Sequence, residues 1–120
     1  DILEGEEDAR AVLEDIDITE KTVCIPSPAV VELWSGACLA LHSESEKEKV
    51  RLLIESFEIL PLDSAAALDA GEIEADLTKQ GLKIQMEDVM IAGIARSRGE
   101  TVVTRDQHYT RISGLRVLKY

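Results

Sequence analysis

The chain has 120 residues and a net charge of −11, with 45% hydrophobic and 31% charged residues. That length supports one domain, residues 1–120, burying about two thirds of its unfolded surface, and the composition excludes a disordered tail or a disulfide-stapled miniprotein. The acidity argues against a basic stripe that holds phosphates by displacing counterions. It leaves three readings: no nucleic acid at all, nucleic acid approached through metal ions, or an acidic surface suited to a salt-rich cytosol.

Taken in chain order, Ala9, Val12, Leu13 and Ile16 fall at helical spacing between Glu6 and about Asp17, which predicts an amphipathic helix. Thr22 to Ile25 is short, apolar and partly β-branched, a buried strand stopped by Pro26. Ser27 is then expected to cap a helix with Pro28 in its first turn. Val30, Val31, Leu33, Trp34, Ala37 and Leu41 clothe nearly every side of that helix, so deep packing is expected. After a polar break at His42 to Ser45, a surface helix from Glu46 to Ser56 aligns Val50, Leu53 and Ile54.

Phe57 to Leu62 reads as a second strand, and Asp63 as the cap of a helix striped by Ala66, Ala70, Ile73 and Leu77 and stopped at Gly81. Asp88 to Arg98 is the next helix, its end marked by Arg96, Arg98 and Gly99. Thr101 to Thr104 gives a strand, Gln107 to Ile112 a brief helical turn, Gly114 a break and Leu115 to Leu118 the last strand. Strands this apolar, alternating with helices, imply an α/β domain with a mainly parallel central sheet flanked by helices.

Ligands of open parallel sheets gather beyond the carboxyl ends of the strands, and three acids stand in such positions. Glu32 lies one turn into an apolar helix with Pro28 and Gly36 at i±4, so its charge must be balanced by a metal, a distant basic side chain or partial exposure. Asp88 opens a helix and reads either as a plain N-cap or as a carboxylate pointing into the same cleft. Asp106 directly follows a strand and reads either as a turn former or as a third ligand, with the Thr104 hydroxyl in reach of the same site.

Oxygen donors of this kind suit a hard cation such as Mg²⁺ or Mn²⁺. The GxSxG, phosphate-loop, GxGxxG and HExxH patterns are all missing from the sequence. His42 and His108 read as surface histidines, and Cys24 and Cys38, far apart in apolar stretches, as buried reduced thiols. No apolar run approaches the ~20 residues of a membrane span and no leader opens the chain, which points to a soluble cytoplasmic protein.

The segments Asp1-Ile2-Leu3-Glu4-Gly5-Glu6, Val30-Val31-Glu32-Leu33, Ile84 with Asp88-Val89-Met90-Ile91-Ala92, Val103-Thr104-Arg105-Asp106 and Arg111-Ile112 resemble, in order and spacing, the PIN-domain family. The likeness is greatest to the toxin ribonucleases of the VapC type. It implies a three-layer PIN-like domain in which Glu32, Asp88 and Asp106 join an acidic metal cluster with Thr104 as companion hydroxyl. It also implies RNA as substrate, a cognate antitoxin as protein partner, and a homodimer. The family's first aspartate lies in an initial strand, and the match here begins just downstream of it. Asp1 is therefore not that acid, and the resemblance implies an upstream strand that carries it. A catalytically inactive PIN-like interaction module is the alternative from another class. A phosphoacceptor domain like those of response regulators finds only Lys119 among the late strands, too near the end to serve.

Overall fold

The computed structural model describes residues 24–104 and 106–119. The expected helix from Glu6 to Asp17, and Thr22 and Val23 of the first expected strand, lie outside the described residues. The elements run β1 (Cys24–Pro26), α1 (Ser27–Leu39), α2 (Ser43–Ser56), β2 (Glu58–Leu60), α3 (Ser64–Gln80), α4 (Met86–Arg98), β3 (Thr101–Thr104), a short 3-10 helix (Gln107–Arg111) and β4 (Arg116–Lys119). Strand pairing is parallel throughout: β1 pairs with β2, Ile25 opposite Ile59, and β3 pairs with β4, Val102 opposite Val117. Among the described residues these form two separate two-stranded sheets, and α4 packs against both β1 and β3. The architecture is α/β, as the alternation of apolar strands and helices predicts.

The helix pair α3 and α4 forms the centre. Asp63 caps α3 by accepting the Ala66 N–H at 2.9 Å, and Gly81 ends it with φ 70°, a left-handed conformation that a side chain would strain. Gly99, φ 68°, ends α4 in the same way. Between the caps, Ala66, Ala70, Ile73 and Leu77 face Val89, Ala92 and Ile94, all buried. Small residues let the two backbones approach closely. A Cβ added at Gly93 would lie 2.7 Å from both the Ala66 carbonyl oxygen and the Ala70 Cβ, inside any tolerable contact.

Several local expectations shift. Pro26 ends β1 from within, and it is Pro26 rather than Ser27 that precedes α1 as cap; Ser27 is the first helical residue. The Ser27 hydroxyl instead accepts the Leu62 N–H at 3.2 Å, tying α1 to the loop after β2. The deep burial expected of α1 does not occur, because only the face meeting α2 and α4 is covered. Pro28, Leu33 and Ala37 are buried there, whereas Val31 is 68% exposed and Leu41, which falls two residues beyond the helix, 93%. Trp34 is half-buried against Leu33, Ala37 and Val50, with the Lys47 ammonium and Arg51 guanidinium 5.8 and 5.3 Å from its ring centre.

Burial was also expected of both thiols. Cys38 is exposed, because it lies on the open side of α1, and Cys24 is partly buried. Burial pushes the Cys24 thiol up from its ordinary value, and the neighbouring Glu100 and Glu58 push it the same way.

The tight approach of α3 and α4 makes Gly93→Ala a direct test. The gain in helix propensity, about 1 kcal/mol, is outweighed by backbone contact, and a net loss of about 1–3 kcal/mol is expected. Gly71→Ala is the control: it lies exposed on α3 with open space around its Cβ position, and should be neutral or slightly stabilising. A Gly93→Ala protein that melts at or above the wild-type temperature would show that the helices do not meet as closely as described.

Candidate active site

The chemistry-bearing residues lie where α4 begins and where β3 gives way to the 3-10 helix. Asp88 is the third residue of α4, and the residue before the helix is Gln85, whose side chain makes no capping bond. Plain N-capping, one of the two sequence readings of Asp88, is therefore set aside. Its carboxylate is held instead by tertiary structure: the Tyr109 hydroxyl donates to Asp88 Oδ1 at 2.8 Å.

Asp106 fulfils its turn-forming reading and remains available for more. Its Oδ1 accepts the His108 backbone N–H at 2.8 Å, capping the 3-10 helix, and also lies 3.0 Å from His108 Nδ1. The Asp106 N–H in turn donates to Thr104 Oγ1 at 3.0 Å. Thr104 is 3% exposed, and the hydroxyl picked out from the sequence accepts the Asp106 backbone N–H.

Tyr109 bonds one of the two carboxylates and follows the other by three residues. It sits 5% exposed within the main core cluster, beside Ile84, Val89, Ala92, Val102 and Ile112. Burial raises its phenol above the ordinary range first, followed by the hydrogen bond to Asp88 and the charges of Asp88, Asp106 and Glu87. Three carboxylates thus act on one hydroxyl, which marks this end of the domain as an acidic neighbourhood. Sequence reasoning missed Tyr109. The available signal was its spacing three residues after Asp106, which places it in the first turn of whatever that aspartate caps.

Glu32 is exposed on α1, the helix that packs against α4. Among the described residues, however, no group of three or more His, Cys, Asp or Glu side chains is close enough to hold a metal ion. The expected three-acid cluster of Glu32, Asp88 and Asp106 is therefore not assembled from these side chains as they stand.

The buried phenol makes stability depend on alkaline pH in a defined direction. A folded-state value above the unfolded value of about 10 means that the contribution is complete below pH 10, and is lost as the pH rises through and beyond that value. Urea midpoints measured from pH 8 to 11.5 should hold to about pH 10 and then fall. In Tyr109→Phe the fall should be shallower. Identical alkaline slopes for the two proteins would show that the phenol is not held protonated by its surroundings.

With this geometry in view, similarity to known proteins becomes informative. Residues 1–115 match the PIN domain family. The chain is 35% identical over 107 residues to the tRNA(fMet)-specific endonuclease VapC of Shigella flexneri, covering 88% of this chain and 81% of that protein. It is 32% identical over 95 residues to the ribonuclease VapC2 of Haemophilus influenzae, covering 78% and 72%. The crystal structure of DNA-bound VapBC from Salmonella typhimurium superposes with a TM-score of 0.84 at 35% identity, over 90% of this chain and 83% of that one. VapBC2 of Rickettsia felis, at 24% identity, shares the fold with a TM-score of 0.87 over 99% and 90%. The chain belongs to the PIN domain family, among its VapC members.

Proposed function

We propose that the protein is an endoribonuclease that hydrolyses RNA phosphodiester bonds with the help of Mg²⁺ or Mn²⁺, and that it is the toxin of a toxin–antitoxin pair. The observation that carries the reading is the joining of Asp88 and Asp106 through one short turn and Tyr109, in a chain 35% identical to a tRNA-specific endonuclease. The donor chemistry fits a hard cation, since both groups are carboxylates. Among the described residues, the hydrogen bonds to Asp88 and Asp106 fall on Oδ1 in each case, and Oδ2 stands outside them.

Asp88 and Asp106 are the residues that would hold the ion, with Glu32 contributing from α1. A bound divalent ion supplies an activated water and neutralises charge on the attacked phosphate. The chain's own contribution is orientation. Thr104 fixes the backbone of Asp106, the 3-10 helix fixes its carboxylate, and Tyr109 fixes that of Asp88. The acid-rich surroundings explain why a protein of net charge −11 can act on a polyanion: the cation, rather than a basic groove, meets the phosphate.

A cognate antitoxin is the protein partner this reading assigns, as in the VapBC complexes of the structural relatives, together with a homodimer and a cytoplasmic setting. No described helix is long and apolar enough to cross a membrane. A catalytically inactive PIN-like interaction module is the second reading, favoured by the lack of a three-acid group among the described residues.

The two readings part on one assay. Incubated with labelled single-stranded RNA or initiator tRNA, the protein should cleave with Mn²⁺ and stop with EDTA. Asp88→Asn and Asp106→Asn should each lower the rate by about 100-fold or more, since even residues behind a metal ligand contribute about 10–100-fold, and Glu32→Gln should also lose activity. Mn²⁺ should raise the melting temperature of wild type and not of Asp88→Asn. Cleavage that persists in EDTA, or survives these substitutions, overturns the metal-site reading; no cleavage under any condition favours the interaction module.

A further inference from the structure

We propose that Tyr109 is a positioning residue for the reaction: its hydroxyl fixes the Asp88 carboxylate so that Oδ2 is presented to the cation while Oδ1 stays bound to the phenol. The inference rests on the metal-site reading above and extends it to a residue outside the acidic set.

Three observations converge on it. First, nothing in α4 itself holds the carboxylate, because Asp88 lies inside the first turn and does not cap it. The one described donor to Asp88 is the Tyr109 hydroxyl, at 2.8 Å. Second, the phenol ring is held on its own account. It is packed among Ile84, Val89 and Ala92, and the Tyr109 carbonyl accepts the Ile112 N–H at 3.2 Å as the 3-10 helix closes. A phenylalanine would fill that space equally well, so the hydroxyl adds direction rather than packing. Third, the hydroxyl's partner is a carboxyl group: no buried side-chain oxygen or nitrogen among the described residues is left without a hydrogen bond, and the phenol meets that requirement through Asp88.

The same turn carries both acids. Asp106 caps the 3-10 helix through the His108 N–H, and Tyr109 is the next residue along. A shift of the turn therefore moves the Asp106 carboxylate and the Asp88 clamp together, which couples the spacing of the two ligands to one five-residue element.

Tyr109→Phe separates orientation from packing. By calorimetric titration with Mn²⁺ alone, the variant should bind about 10-fold more weakly than wild type, the scale on which groups behind a ligand act. Its kcat for RNA cleavage should fall with KM for RNA little changed, and the metal-free protein should melt within a few degrees of wild type. Wild-type Mn²⁺ affinity in a folded Tyr109→Phe protein would overturn the proposal. Asp88→Asn distinguishes the two levels of inference. If Asp88→Asn loses Mn²⁺ and Tyr109→Phe does not, only the positioning role falls; if wild type binds no Mn²⁺, or Asp88→Asn binds it as well as wild type does, the metal site falls and this role with it. A crystal structure of the Mn²⁺-loaded wild type gives a reading that needs no variant. Tyr109 should still donate to Asp88 Oδ1 there, and its release from Asp88 on metal binding would overturn the proposal.

Discussion

The close approach of α3 and α4 at Gly93 is the constraint from which the site follows. With no Cβ at that position, the helix backbones meet across Ala66 and Ala70, and this contact fixes how closely α4, the helix that carries Asp88, lies against α3. Polar clamps hold the far end. Arg96 donates from Nε and a terminal nitrogen to the two oxygens of Asp69 at 2.9 and 2.7 Å, and also reaches the Ser113 carbonyl at 2.8 Å. Both partners are mostly buried, and the fork geometry contributes direction as well as energy. The pair sits on a different scale from Lys49–Glu46 and Arg51–Glu48 on α2, which are exposed and contribute at most about 1 kcal/mol each. Asp63 links the two helices once more: one oxygen caps the start of α3 and the other takes Arg98 near the end of α4, 3.0 Å away.

How much of this could be read from sequence follows the range of the forces involved. Asp63, Gly81 and Gly99 act on residues within one turn, so the boundaries of α3 and the end of α4 were legible from the cap types alone. The stripe of Ala66, Ala70, Ile73 and Leu77 was legible because helical periodicity reports which face is apolar. The covering of α1 was not, since an apolar helix does not state how many of its faces find a neighbour. Val31 is an instance: apolar, on the helix itself, and open to solvent.

The site divides along the same line. Asp106 was singled out for its place after β3, and its cap is a local interaction that its neighbours announce. Asp88 was singled out for its place at a helix start, and there the local rule misled: the helix begins two residues earlier, at Met86, and the carboxylate's partner lies 21 residues away in sequence. A buried tyrosine in a core cluster gives no sign in sequence of where its hydroxyl points. Thr104 was singled out for its nearness to Asp106, and its hydroxyl does meet that residue, through the Asp106 backbone N–H.

A structural role and a functional role for these carboxylates are not rivals. An aspartate that caps a turn loses rotational freedom, and a ligand already fixed binds an ion without the entropic cost of being ordered at that moment. Asp106 commits one oxygen to the cap, and Asp88 commits one to a phenol that stays protonated at any physiological pH. What the protein lacks in positive charge it therefore replaces with order. The lysine-rich stretch of α2 is already occupied, Lys47, Lys49 and Arg51 each pairing with a glutamate three residues earlier. With that segment paired to its own neighbours, the metal-site reading proposed above would have a divalent ion at the acids reverse the sign of the local field.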